Sequence, residues 1–281
     1  MKMPNNIPDQ AASSGRAATL KGLRRQDGPG KPSGDSPPPH TNGTPQTKRA
    51  ASAPATAMAW RVAPFAVYMA FVLLVEVAAM LGTASSGMLG AYGDFAGGLY
   101  PIKALCVALV LAAVIPHCPE MHPSRADTNG LPLAVAVGVA VFMAWLALDT
   151  PWARTGVPTP FAHDAWGETG RPYLLTIRFV GATVLVPLAE ELFWRSFLLR
   201  HLQGGDFRTV SLARLHPASF LAVTVLFGLE HNLFVAGMVA GAAYNYIALR
   251  TNSIACCVVA HAVTNGLLGL WVLSTGAWGL W

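Results

Sequence analysis

Charge is what this sequence has least of. Its 281 residues include 19 Lys and Arg and 14 Asp and Glu, 12% of the chain, where about 25% is usual for a soluble globular domain. That excludes the common run of water-soluble enzymes. With 53% hydrophobic residues and a mean hydropathy of +0.43, the chain reads as one packed against lipid. Cysteine is also scarce: Cys106, Cys118, Cys256 and Cys257 all fall in or beside apolar stretches, with neither zinc-finger nor CxxC spacing. They read as small buried apolar residues. The zinc-protease signature HExxH is absent, and the apolar runs do not alternate as barrel strands do.

What charge there is lies unevenly. Residues 1–58 hold 8 Lys and Arg and 3 Asp and Glu, so they account for the whole formal charge of +5, and the remaining 11 basic and 11 acidic residues cancel. A basic pI is therefore no sign of a nucleic-acid partner, and none is expected. The same segment carries nine prolines and six glycines and almost no large apolar side chains. It cannot bury enough surface to offset its chain entropy, and the expectation is a disordered, basic cytoplasmic tail over 1–58, without a secretory signal, ahead of a membrane-embedded domain over 59–281.

Seven apolar runs follow, at about 62–82, 100–116, 131–148, 173–199, 218–230, 233–249 and 253–275. Because only helices and closed barrels satisfy every backbone group in lipid, they imply an all-α, polytopic bundle of about seven transmembrane helices. The run at 218–230 is the weak one, since 13 residues reach only about 20 Å. With a cytoplasmic N-terminus, 15 Lys and Arg fall on the cytoplasmic side and only Lys103, Arg154 and Arg171 opposite. The positive-inside rule therefore favours N-in and C-out in a cell membrane.

Ionisable groups inside such runs are costly and invite a functional reading. The fourth run contains Glu190, Glu191 and Arg195. Glu191 and Arg195 are four apart and share a helix face, whereas Glu190 lies about 100° round the helix. Glu191 is thus the expected partner of Arg195, leaving Glu190 to face the bundle interior as a general base. Phe227 and His231 are four apart at the end of the fifth run, and His261 and Asn265 four apart in the seventh. Each pair can point into one cavity, and axial distances suggest a cavity opening to the cytoplasm for Glu190 and His261; His231 falls near the far end of the fifth run, so that helix is expected to start deeper than Pro217 or to tilt.

These three segments, in this order, resemble the EExxxR, FxxxH and HxxxN motifs of the CPBP family of CAAX-protease and bacteriocin-processing intramembrane proteases. From Phe179 to Trp281 the likeness is to the bacterial CAAX prenyl protease-related proteins of exosortase/PEP-CTERM systems, which implies a bacterial inner-membrane location and a functional link to such a system. The resemblance implies an endopeptidase acting on a membrane-associated protein, with Glu190 and His231 activating water and His261 and Asn265 lining the oxyanion site. Glu191, Arg195 and Phe227 would support them. Glu190, His231 and His261 would also be the ligands of a Zn²⁺ ion if one is used, and a metal-independent mechanism is the favoured reading. The alternatives are a catalytically inactive scaffold or immunity-like protein, and a transporter with a midplane polar site, for which no inverted repeat is detectable.

Three weaker expectations complete the reading. Glu76 and Arg178 could pair between helices; Gly237 and Gly241 form a GxxxG packing face beside Tyr244, Asn245 and Tyr246; and Trp271, Trp278 and Trp281 serve as interfacial anchors.

Overall fold

The computed structural model describes residues 54–83, 89–122, 125–156 and 160–281, and all but the last five positions of the expected tail lie outside them. Seven helices form among the described residues: α1 (Pro54–Thr83), α2 (Leu89–Val114), α3 (Arg125–Ala147), α4 (Gly167–His201), α5 (Pro217–Leu229), α6 (Phe234–Thr251) and α7 (Ile254–Thr275). There is no strand among the described residues. Each of the seven apolar runs is a helix, the first starting already at Pro54. Five of them, α1 to α4 and α7, are long and apolar enough to cross a membrane. The 13 residues of α5 reach about 20 Å, and α6 is diluted by Tyr244, Asn245, Tyr246 and Arg250.

Local chemistry sets the ends. Pro217 opens α5 after His216, whose ring nitrogen accepts from the Ser219 amide. Asn252 closes α6 in the left-handed conformation, φ 52°. Ser253 then caps α7 by accepting from the Cys256 amide. Within α4, Pro187 has no N–H to give the preceding turn, and the ladder there widens: the Val186 amide reaches back to the Gly181 carbonyl. A second widened stretch spans Leu192–Leu198. The two glutamates lie between them on the regular segment Val186–Glu191.

Small residues bring the helices together. The glycine face of α6 packs on α5 as expected, a side chain at Gly241 meeting Phe227 Cβ at 3.3 Å and the Thr224 carbonyl at 3.2 Å. At the crossing of α3 with α7, a Cβ on Gly138 would stand 2.5 Å from the Ala260 carbonyl and 2.8 Å from Val263 Cβ. The buried core joining these four helices includes Val223, Phe227, Tyr244, Ile247 and Ala260. All the cysteines are free; Cys118, Cys256 and Cys257 are buried and Cys106 half-buried.

Away from this core, Glu120 in the α2–α3 connection ties α1 to α4. It accepts from Arg61 Nε at 2.7 Å and Nη2 at 2.8 Å, from Arg200 Nη2 at 3.2 Å, and from the Ser196 hydroxyl. Burial pushes the Glu120 carboxyl up, but the hydrogen bonds and charge of Arg61 outweigh it and hold its pKa below the ordinary carboxylate value.

Two outcomes are expected. Gly138→Val, which has no room at the α3–α7 crossing, lowers the thermal midpoint of the detergent-solubilised protein. Gly98→Ala, where nothing lies within 4 Å, does not; equal midpoints for the two variants would contradict the close crossing. Because the folded Glu120 pKa is depressed, its contribution is complete above the unfolded carboxylate value and disappears as the pH falls through the folded one. Glu120→Gln should therefore melt below wild type at neutral pH, with the gap closing below about pH 4.

Candidate active site

The fold gathers the separated motifs around one cavity of about 190 Å³, whose walls include Glu190 from α4, Phe227 and His231 from α5 and the turn after it, and His261 and Asn265 from α7. Glu191 and Arg195 do not line it. They lie behind, both fully enclosed, with Arg195 Nη1 2.9 Å from Glu191 Oε1. The division expected from helical spacing, one glutamate inward and one paired, is the observed one.

Arg195 reaches two more helices' worth of structure through α6: its Nε donates to Asn245 Oδ1 at 3.2 Å and its Nη2 to the Gly241 carbonyl at 3.1 Å. Its flat face lies over the Phe227 ring at 4.5 Å. Asn245 in turn donates to the Phe220 carbonyl and the Thr224 hydroxyl of α5, each at 3.2 Å. Asn245 was readable from the sequence only as a polar residue beside a GxxxG face; its role needs the α4–α6 contact to be seen.

Hydrogen bonds fix how the imidazoles present themselves. His231 Nδ1 is 2.7 Å from the Phe227 carbonyl, which can only accept, so Nδ1 carries the proton and a neutral ring keeps Nε2 as an acceptor. His261 Nδ1 is 2.9 Å from Glu191 Oε1, which Arg195 also engages. Nδ1–H donates to that carboxylate, and Nε2 is a donor only when the ring is an imidazolium. Tyr244 stacks on His261 at 4.9 Å, and its hydroxyl donates to Thr264, which bonds on to the Gly138 carbonyl. Asn265 Nδ2 donates one hydrogen to the Ala182 carbonyl at 2.9 Å and has a second to offer. Among the described residues, Glu190 Oε2 is buried with no hydrogen-bond partner.

Two expectations need correction. The cavity walls also include Trp145, two residues from the end of α3, Arg178 in the first half of α4, and Leu280 and Trp281 beyond α7. The cavity therefore runs towards the bundle end holding residues 148–166 and the C-terminal segment, not towards the end holding the α6–α7 turn. This also removes the difficulty with His231, which sits past the end of α5 with Trp145 edge-on at 5.4 Å. Arg178 does not pair with Glu76, which is exposed; its guanidinium lies over Phe161 at 3.9 Å, Tyr100 at 5.0 Å and Trp281 at 5.1 Å. Trp281 is also a cavity wall, whereas Trp271 is exposed.

As for a metal, no three His, Cys, Asp or Glu among the described residues stand close enough to hold one. Glu190, His231 and His261 are thus not assembled as a ligand set. Tyr68, Tyr100 and Trp145 are walls that sequence reasoning did not single out; they sit in helices outside the motifs, without a spacing signal.

Residues 172–267, from the first turns of α4 to the middle of α7, match the family model described as Type II CAAX prenyl endopeptidase Rce1-like. The matched stretch contains all three motifs. Neither the curated proteins nor the solved structures provide a match to the chain.

Arg195→Met should cost about 3–5 kcal/mol, because it strands the Glu191 carboxylate in a fully enclosed site. Thermal or denaturant unfolding in detergent measures this, and a midpoint equal to wild type would show that the pair does not hold the helices together.

Proposed function

We propose that this chain is an intramembrane endopeptidase of the CAAX-protease type, cleaving a peptide bond in a membrane-associated protein. The observation that carries the reading is the Glu190 carboxylate, with one oxygen unpartnered, in a cavity it shares with His231, His261 and Asn265. Similarity of residues 172–267 to a peptidase family supports it independently.

The chemistry follows from the donors and acceptors. Glu190 takes a proton from a water as its oxygen attacks the peptide carbonyl, and the Nε2 lone pair of His231 helps to orient that water. Negative charge then develops on the carbonyl oxygen. The second Nδ2 hydrogen of Asn265 can donate to it, and His261, held by Glu191, lines the same side of the cavity. Collapse of the tetrahedral adduct breaks the C–N bond, the amine leaving with the proton held by Glu190. The apolar walls from Phe227, Ala240 and Leu268 limit water and so strengthen each of these interactions.

Glu190→Gln keeps the shape and removes the base, so cleavage should fall by about 10²–10⁴-fold with the melting temperature unchanged. Comparative membrane proteomics of cells carrying wild type or this variant should reveal a fragment made only by the wild type. Identical fragment patterns from two equally abundant, folded proteins would count against the protease, and substrate-dependent flux in proteoliposomes would favour a transporter instead.

A further inference from the structure

A second cavity, of about 350 Å³, takes no part in the proposed hydrolysis. Its walls include Arg61 from α1, His117 and Glu120 from the connection after α2, Arg200 from the last turn of α4 and Arg208 from the loop beyond it. It lies at the ends of three helices long and apolar enough to cross a membrane, Pro54–Ala78, Gly97–His117 and Gly167–His201. That is the level at which lipid headgroups meet a spanning protein.

The cavity holds more cation than its helix-tying role needs. Arg61 and Arg200 are only 3% and 7% exposed, and both donate to the same carboxylate, Glu120. Arg208 is held by Asp206 at 2.6 Å. Three guanidiniums against two carboxylates leave one positive charge over. Donors are left over as well. Arg61 Nη1 gives one hydrogen to the Ala57 carbonyl and its Nη2 one to Glu120, while Arg200 uses Nε on the Ser196 carbonyl and Nη2 on Glu120 and the Ser196 hydroxyl. Among the described residues, both hydrogens of Arg200 Nη1 and one on each Arg61 Nη find no acceptor.

Phe207 packs against both guanidiniums, 5.2 Å from Arg61 Cζ and 5.6 Å from Arg200 Cζ, and leaves their N–H edges for a ligand. Edges from two or more guanidiniums around one cavity suit a phosphate, whose oxygens accept from several donors at once; a carboxylate is matched by the fork of one. The outer surface of α2 says how such a phosphate arrives. Ile102, Leu105, Leu109, Ala112 and Pro116 are all exposed. Their spacings of three and four put them on one face, an apolar stripe of about 21 Å. It ends beside His117, which is stacked on Trp60 at 4.2 Å and lines the cavity. A phosphate carried on acyl chains would use both the cavity and the stripe, whereas a free anion would use the cavity alone.

We propose that this cavity binds the phosphate of an anionic phospholipid, with Arg61, Arg200 and Arg208 donating to its oxygens and an acyl chain lying along α2. The inference goes beyond the peptidase reading and does not rest on it. A lipid held there joins Glu120 in tying α1 to α4, and it stabilises the fold because only the folded chain offers the site.

The test uses the full chain in dodecyl maltoside with two lipids of identical dioleoyl chains, phosphatidylglycerol and phosphatidylcholine. Retained lipid is counted by native mass spectrometry, and melting midpoints are taken alongside. Wild type should retain phosphatidylglycerol about tenfold more strongly than phosphatidylcholine, the effect of a charge-assisted contact, and its midpoint should rise only with the former. R200Q leaves Glu120 its Arg61 partner and should bring the ratio close to one, with R200K in between. Where R200Q does not fold, R208Q, which alters a more exposed side chain, should lower the ratio in its place. R250Q, which removes an exposed arginine of α6 outside the cavity, and E190Q, in the other cavity, should leave it unchanged. Equal retention of the two lipids by wild type would overturn the proposal, as would a ratio unchanged in the folded cavity variant. A fall as large in R250Q would assign the preference to diffuse surface charge. Release of phosphatidylglycerol by inorganic phosphate at a concentration below that of the lipid would assign the cavity to a free anion, and either result removes the lipid site.

Discussion

A guanidinium with no exposed surface, Arg195, fixes the arrangement of the helices that line the cavity. Its charge can be tolerated there only with a carboxylate beside it and with its remaining N–H groups engaged. Glu191 supplies the first from the same helix, and Asn245 and the Gly241 carbonyl supply the second from α6. Glu191 then holds His261 of α7 through the oxygen that it offers Arg195. One ion pair therefore sets the spacing of α4, α6 and α7. Glycine at 241 is part of the same device, because a side chain there would push α5 away from the helix whose carbonyl Arg195 uses.

The consequence for Glu190 is geometric. Being one residue from Glu191, it is turned about 100° away from the ion pair, and so a paired Glu191 leaves Glu190 aimed into the cavity. The same turn of helix thus carries one carboxylate held in an ion pair and one that faces the cavity. Widened turns on both sides of Val186–Glu191 confine this regular stretch, and Pro187 gives a physical cause for the first of them. For the second, the sequence offers no comparable breaker, and its position simply follows the packing of Trp194, Phe193 and Phe197 against Phe65 and Phe207.

Much of this was legible beforehand because it depends on local spacing. The i, i+4 relation of Glu191 to Arg195, of Phe227 to His231 and of His261 to Asn265 is a property of any helix, and the apolar runs announce the helices themselves. The GxxxG face of α6 was readable for the same reason. Illegible were features created by contacts between distant segments: Asn245 as a ligand of Arg195, Tyr244 stacked on His261, and Arg178 enclosed by rings from α2, the 161 loop and the C-terminal segment. Pairing Arg178 with Glu76 failed because opposite charge in two apolar helices says nothing about which faces meet. Depth failed likewise: counting residues from helix ends placed the motif groups along the bundle axis but not the direction in which their cavity extends.

That direction matters for how a substrate would be handled. Glu190 lies eleven residues from His201 and His261 seven from Ile254, about 16 Å and 10 Å in from the same end of the bundle. The cavity extends from there towards the opposite end, past Asn265 and Leu268 to Arg178 and Trp281. The basic groups at the near end, Arg61 and Arg200, are bound to Glu120 and close the connection between α1 and α4. With the Glu190 carboxylate towards one end and the ring-enclosed Arg178 towards the other, the cavity presents opposite charges to the two ends of any extended chain within it.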